Sequence, residues 1–149
     1  MKKDGTVLIL VTMCILMAKA VEGETVGIPF SISEAFSVGA RIHISDHYAI
    51  QPSVGFFIGE GVSSTLALGI GNLFYLFENR SIDHYLGGDL FYLFAEPQNS
   101  LEIAGYYGLQ YPIADVLHIF AELGVFLNIQ PAIALSTFKT GIGVVFYPY

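Results

Sequence analysis

Residues 117–128 read LHIFAELGVFLN, a stretch in which apolar and polar side chains alternate. Every odd position is Leu, Ile, Ala or Val, whereas the even positions include His118, Glu122, Gly124 and Asn128. Successive side chains of a strand point to opposite faces of the sheet, so this period of two predicts a β-strand with one apolar face. A helix would instead repeat its apolar positions about every 3.6 residues.

The same alternation recurs in other parts of the chain. It is clear from Phe36 to Ile44, from Tyr48 to Ile58 and from Leu101 to Tyr111. Residues 64–77 and 84–94 contain continuous apolar runs, but turn-forming residues border both segments. Strands are therefore predicted at about 35–45, 47–58, 64–77, 84–94, 101–113, 116–128 and 133–147.

An eighth strand is predicted at Val26–Ile32, where apolar residues occupy the even positions. The alternative is a seven-stranded sheet with an irregular arm. A three-residue turn at Ser33–Ala35 would separate this strand from the next without changing which parity faces inward. The same odd-length turn is predicted at Ser45–His47 and at Ala114–Val116.

The composition limits the class of protein. The 149 residues fit one domain, and 54% hydrophobic with 13% charged residues argues against disorder. The chain has only 6 Lys and Arg against 13 Asp and Glu, and this balance excludes the basic surface that nucleic-acid binding requires. A soluble barrel would need many charges on its outer face, and the chain has too few.

The N-terminus predicts an export signal. Met1-Lys2-Lys3 precedes an apolar run from Thr6 to Met17, and Ala18-Lys19-Ala20 has the small-x-small pattern of a cleavage site. The alternative, an uncleaved anchor, would need about 20 apolar residues. We therefore expect a signal peptide at 1–20 and one barrel domain at 21–149. The single cysteine, Cys14, lies in the signal, so the exported chain would have no thiol chemistry.

The two faces of the predicted strands differ in the way a membrane barrel requires. One face is almost uniformly Leu, Ile, Val, Phe or Tyr, which suits lipid, and the other is rich in Gly, Ser and Ala, which suits a crowded lumen. Aromatic residues lie near the strand ends, as the two interfaces require: Tyr48, Tyr111 and Phe146 at one rim, and Phe36, Phe56 and Phe94 at the other. This predicts an all-β, antiparallel up-and-down transmembrane barrel of eight strands.

The end of the chain supports this class by resemblance. Lys139, Gly141, Val144 and Phe146 lie in a segment that resembles the C-terminal assembly signal of bacterial outer-membrane barrels. It departs from the usual pattern at Val144, where an aromatic is usual, and in the extra residues 147–149. The mature chain thus resembles the small OmpA/OmpX-type barrels. The resemblance implies the bacterial outer membrane, its lipid, periplasmic chaperones and the barrel-assembly machinery as partners, and a monomer.

Ionisable residues at inward positions form the candidate site. Strand parity directs these side chains into the lumen: Arg41, His43, Asp89, Glu102, His118, Glu122 and Lys139. If the chain turns at Ile129–Ala132, Asn128 faces Ile133, and Glu122 lies directly opposite Lys139, which predicts an ion pair. We expect Arg41 to join it through Asp89 or Glu122. Buried charges must be paired, so this charge cluster is interpreted as structural.

The sequence predicts no enzyme, cofactor or metal site. His118 and Glu122 share one face but lie roughly 13 Å apart on an extended strand, too far to bond each other. The predicted function is a structural envelope barrel whose lumen is plugged by polar side chains. The alternative is a narrow, porin-like transport barrel or a hydrophobic-ligand barrel, with Tyr75, Phe77, Phe91 and Leu93 as its candidate lining. A lipid-modifying enzyme ranks third.

Overall fold

The computed structural model of the protein describes residues 25–32, 36–57, 65–79, 81–94, 99–130 and 133–148. The predicted signal peptide and the predicted turn at 33–35 lie outside these residues. Within the described part, no helix is long and apolar enough to cross a membrane.

The described chain is all-β, as the alternation predicts. Its nine strand segments are β1 (Val26–Ile32), β2 (Phe36–Gly39), β3 (Arg41–Ser45), β4 (Tyr48–Phe57), β5 (Thr65–Asn79), β6 (Ile82–Phe94), β7 (Ser100–Ala114), β8 (Leu117–Gln130) and β9 (Ala134–Phe146). Segments β2 and β3 keep one continuous register against β1 and against β4, and only Ala40 separates them. The nine segments therefore make eight barrel strands.

The sheet closes on itself. Each strand pairs antiparallel with the next, and β1 also pairs with β9, from Ile28 opposite Phe146 to Ile32 opposite Ile142. This seam covers five residue pairs, and within the described residues the part of β9 before Ile142 pairs with β8 alone. The eighth strand predicted at Val26–Ile32 is confirmed, because β1 supplies the closing seam.

The turns after Ser45 and after Ala114 are shorter than the predicted three residues. Ser45 pairs with Tyr48, which leaves a two-residue turn, and the register shifts between His43 and Ser45. Ala114 pairs with Leu117 in the same way, after a shift that follows Pro112. The one extra residue at each of these two connections therefore lies in a bulge within the strand and not in a three-residue turn. Strand parity is kept because the bulge supplies the extra residue.

The alternation separates an outer from an inner face. On β8 and β9 the large outward side chains are well exposed, with Leu123 at 63% and Ile142 at 71%. The continuous apolar run in β5 obeys the same rule, because Leu73 and Tyr75 are buried and Phe74 and Leu76 are exposed. That run is apolar on both faces because the inward side chains at this level, Leu73 and Tyr75, are themselves apolar or aromatic.

Glycines make room for the large inward side chains. Gly87 pairs with Tyr106, and a Cβ at Gly87 would overlap the Tyr106 ring. Gly108 has the same relation to Tyr85. Eight strands enclose a lumen only wide enough for side chains to fill, so each ring lies over the glycine of the adjacent strand.

Candidate functional site: the polar core of the barrel

Lys139 lies at the centre of the inner charges. Strand β9 directs this side chain inward, where its Nζ lies 2.5 Å from Asp89 Oδ2 and 3.2 Å from Glu122 Oε2. The same ammonium lies 3.3 Å from the centroid of the Tyr106 ring, a cation–π contact. All three ionic side chains are less than a tenth exposed. Lys139, Asp89 and Glu122 are called the ion triad below.

Two tyrosines complete the ion triad. Tyr106 Oη donates to Asp89 Oδ1 at 2.7 Å, and Tyr85 Oη donates to Glu122 Oε1 at 2.9 Å. Each carboxylate therefore receives the ammonium on one oxygen and a phenol on the other. Burial of charge is tolerated only when such partners replace the lost water, and here they do.

The register that forms the triad differs from the predicted one. Glu122 pairs with Gly141 and Lys139 with Gly124, so Glu122 and Lys139 do not lie directly opposite each other. Strand β8 runs to Gln130, and Asn128 faces Ala134 and not Ile133. The side chains still meet because Lys139 reaches diagonally across two residues. Its closer partner is Asp89 on β6, which contacts it across the lumen.

Arg41 is buried beside the triad with different partners. Its side chain is fully buried, and it donates to Gln51 Oε1 at 2.7 Å and to Gln110 Oε1 at 2.5 Å. Its guanidinium carbon lies 5.4 Å from the Tyr85 ring centroid and 5.1 Å from that of Phe120. The predicted ion pair with Asp89 or Glu122 is therefore wrong: among the described residues, no carboxylate lies within 4.0 Å of Arg41.

A second polar cluster lies at the end of the barrel where β1 begins and β9 ends. Tyr147, just beyond β9, brings its hydroxyl to 3.2 Å from His43 Nε2 and 3.4 Å from Gln110 Nε2. Its ring lies 4.8 Å from that of His118, and its backbone N–H donates to the carbonyl of Val116. The sequence prediction included His43 and His118 as lumen residues but missed Tyr147, although this residue continues the register of β9 against β8 and has the same inward parity as Lys139.

The opposite half of the lumen contains a small cavity of about 60 Å³. Ser31, Ser37, Ser53 and Glu102 supply polar lining, and Phe91 and Leu93 supply apolar lining. Ser31 and Ser37 are hydrogen-bonded to each other at 2.5 Å. Glu102 lines this cavity together with the three residues of the ion triad, which border it as well.

The candidate hydrophobic lining is divided between the two halves. Tyr75 is buried against Tyr85 and His43, so it fills the lumen. Phe91 and Leu93 border the small cavity, and the Phe77 side chain lies outside the described residues. The part of the chain that the structure describes contains no cluster of three or more potential metal ligands.

The residues of the predicted assembly signal occupy both faces of β9. Lys139 and Gly141 are buried on the inner face, whereas Phe146 is 41% exposed on the outer face. Val144 pairs with Phe30 of β1 at the closing seam. The assembly role of these residues stays a prediction.

The fold matches solved structures of small barrels. The de novo designed protein TMB2.3 aligns with a TM-score of 0.65 at 16% identity, over 86% of this chain and 98% of that one. The N-terminal β-barrel domain of OprF from Pseudomonas aeruginosa aligns at 0.62 and 14% identity, over 84% and 96%. A structure from the de novo design of transmembrane β-barrels aligns at 0.61 and 14% identity, over 83% and 95%.

Sequence comparison adds no relative. No protein-family model matches the chain, and no curated protein matches it by sequence. The structural likeness establishes a shared fold: the chain has the architecture of the small eight-stranded outer-membrane barrels.

Proposed function

We propose that this protein is an integral barrel of the bacterial outer membrane with a structural role in the envelope. The observation that carries the proposal is the contrast between its two faces. Large apolar side chains are exposed on the outer face from β1 to β9, whereas the buried ions are enclosed within the barrel. Such an outer face is stable only against lipid, and such a lumen does not need water.

Polar contacts on the outer face fit the two interfaces of a membrane. His84 and Tyr107 are hydrogen-bonded near one end of the barrel, and Tyr92 accepts a hydrogen bond from Asn99 at the other. From His84 to Tyr92 the strand rises about 27 Å at roughly 3.4 Å per residue. At a tilt of about 40° this gives a height of about 21 Å, close to the apolar band of an outer-membrane barrel.

The large side chains that enter the lumen support a structural role over transport. The ion triad, Arg41 and the tyrosines cross the lumen, and the cavity of about 60 Å³ beside them is too small for an organic solute. A water takes up about 30 Å³ of liquid volume, so this space corresponds to a few waters at most.

Location and biogenesis complete the proposal. The chain is exported by a signal peptide cleaved after Ala20, escorted by periplasmic chaperones and inserted by the barrel-assembly machinery through residues 139–146. It functions as a monomer in outer-membrane lipid, without cofactor or catalysis. The seam between β1 and β9 supports the monomer, because it closes the sheet within one chain.

Cell fractionation with gel migration tests the location. We expect the protein in the outer-membrane fraction, with an N-terminus at Val21 and faster migration in unboiled than in boiled samples. A soluble periplasmic product would overturn the proposal. Lipid A mass spectrometry on cells with and without the gene tests the absence of catalysis, and a changed lipid mass would contradict it.

Planar-bilayer recording tests the filled lumen. We expect no steady conductance from the purified protein. A variant with Tyr85→Ala and Tyr106→Ala removes two rings that fill the barrel and provides the matched control that should conduct. If the unmodified protein conducts as well as the variant, the lumen is not filled, whereas the proposed outer-membrane location is unaffected.

A further inference from the structure

Gln110 joins the buried Arg41 to the polar cluster at the end of the barrel where β1 begins. Its Oε1 accepts a hydrogen bond from Arg41 Nη1, and its Nε2 lies 2.8 Å from His118 Nδ1 and 3.4 Å from Tyr147 Oη. A guanidinium has donors only, so Arg41 fixes which end of the Gln110 amide is the acceptor. Gln110 therefore donates to both His118 and Tyr147.

His118 can keep its bond to Gln110 only as a neutral ring. The Gln110 amide nitrogen donates, so His118 Nδ1 is the unprotonated acceptor and the hydrogen of the ring is on Nε2. Protonation adds a hydrogen to Nδ1, and two donors then face each other. Turning the Gln110 amide round does not relieve this, because its nitrogen would then meet Arg41 Nη1, which is also a donor. Protonation of His118 therefore breaks one of the two bonds of Gln110.

The charges around His118 come from other strands. Arg41 and His43 on β3 interact with it through space, and the positive charge of Arg41 opposes a second one on the ring. Asp83 on β6 acts in the opposite sense and favours the protonated ring. The residues paired with it in the sheet are uncharged: Pro112 on β7 and Val145 on β9. A histidine between opposing influences of this kind is suited to titrate near its ordinary range.

Tyr147 is the part of this cluster that is least restrained. It lies just beyond β9, is half-buried and precedes the exposed Pro148, whereas Gln110 and His118 belong to strands. Its ring lies 4.8 Å from the His118 ring and covers Gly27 of β1, where a Cβ would be 2.6 Å from Tyr147 Cε1. His118 is also only half-buried, so protons can reach it from the end of the barrel.

We propose that Gln110, His118 and Tyr147 form a pH-sensitive latch at this end of the lumen. Neutral His118 holds the Tyr147 ring inside through Gln110, and protonated His118 releases it. The ring yields first because Gln110 and His118 are fixed by the backbone pairing of β7 and β8. This device goes beyond the proposed envelope role and does not depend on it.

Nuclear magnetic resonance of the protein, purified from membranes in detergent micelles, tests the latch. A contact between the Tyr147 ring and the Gly27 α-protons reports the closed state, and the ring nitrogens of His118 report its tautomer. At pH 7.5 we expect this contact and a neutral His118 with its hydrogen on Nε2. If only the open state binds the proton, the ratio of closed to open protein falls about tenfold for each pH unit below the ordinary histidine pKa of about 6.5. The ratio should fall about 100-fold by pH 4.5, with loss of the contact.

Matched histidine variants assign the response. His118→Asn keeps an acceptor for the Gln110 amide and does not titrate in this range, so the contact with Gly27 should persist at pH 4.5. His84→Asn is the control, because it removes a histidine that is hydrogen-bonded to Tyr107 on the outer face. This variant should lose the contact over the same pH range as the unmodified protein.

Three results would overturn the latch. The first is a contact that persists down to pH 4.5 in the unmodified protein, because the ring then does not respond where a histidine titrates. The second is loss of the contact in His118→Asn over the same pH range, which would mean that another group drives the release. The third is a His118 ring that carries its hydrogen on Nδ1 at pH 7.5. The proposed outer-membrane location is unaffected by any of them, because they concern the structure of the lumen.

Discussion

Replacing Lys139 with Met tests how the ion triad is stabilised. The substitution keeps an unbranched apolar stem and removes only the terminal ammonium, so Asp89 and Glu122 each lose their ionic contact. Removing one partner of a buried ion pair costs about 3–5 kcal/mol, because the remaining charge is left uncompensated. Loss of the contact with the Tyr106 ring adds about 1 kcal/mol. We expect Lys139→Met to be destabilised by about 4–6 kcal/mol.

Urea unfolding in lipid vesicles measures this loss. The chain has no Trp, so far-UV circular dichroism and the folded band on unboiled gels are the suitable signals. With a slope of about 2 kcal/mol per molar urea, the expected loss lowers the unfolding midpoint by about 2–3 M. Thr140→Met is the matched control, because it places the same side chain one residue further on the exposed outer face, where the midpoint should hardly change.

A triple variant separates charge from packing. Combining Lys139→Met with Asp89→Asn and Glu122→Gln removes every charge of the triad and keeps acceptors for the two tyrosine hydroxyls. Replacing a buried ionic group by neutral groups of similar shape is often close to neutral, so most of the lost stability should return. If the triple variant is as unstable as Lys139→Met alone, the loss comes from packing and the charge argument is refuted.

Further substitutions test the glycine contacts, the chain end and the outer face. Gly87→Ala should destabilise by about 1–3 kcal/mol, since its Cβ meets a tyrosine ring, whereas Gly105→Ala, which meets nothing, should be near neutral in the same urea assay. Tyr147→Ala should lower the unfolding midpoint by a molar-scale shift, because the ring fills one end of the lumen. Pro148→Ala, at an exposed position, should leave the midpoint unchanged. Equal midpoint shifts in the two variants would contradict the packing role of the Tyr147 ring. Leu123→Arg should cost about 2–4 kcal/mol if this position faces the bilayer midplane, and an unchanged midpoint would argue against lipid contact there.

Strand parity made much of this architecture predictable. Whether a side chain faces lipid or lumen depends on its position in an alternating strand, so Leu123 and Glu122 could be assigned to opposite faces from their numbers alone. Closure was predictable because Val26–Ile32 alternates like the other strands. The bulges could not be predicted, because the apolar alternation on either side of an extra residue is the same whether that residue lies in the strand or in the turn.

The pairing of the inner charges could not be predicted in the same way. Lys139 contacts Asp89 across the lumen, between strands β9 and β6, which are not neighbours in the sheet. Such contacts depend on the tilt of the strands and on the reach of each side chain, and neither is encoded in parity. The uncharged partners Gln51 and Gln110 gave no signal, since a glutamine on an inward position predicts no particular partner.

The inner charges connect the ion triad with Arg41. The ion triad contains two carboxylates and one ammonium, so it carries one net negative charge, and Arg41 carries one positive charge. Tyr85 lies between them: its hydroxyl donates to Glu122, and its ring faces the Arg41 guanidinium. Because charges in a low-dielectric lumen interact over longer distances than in water, each cluster stabilises the burial of the other. The ion triad and Arg41 therefore form one electrostatic unit, in which the charges of the two balance.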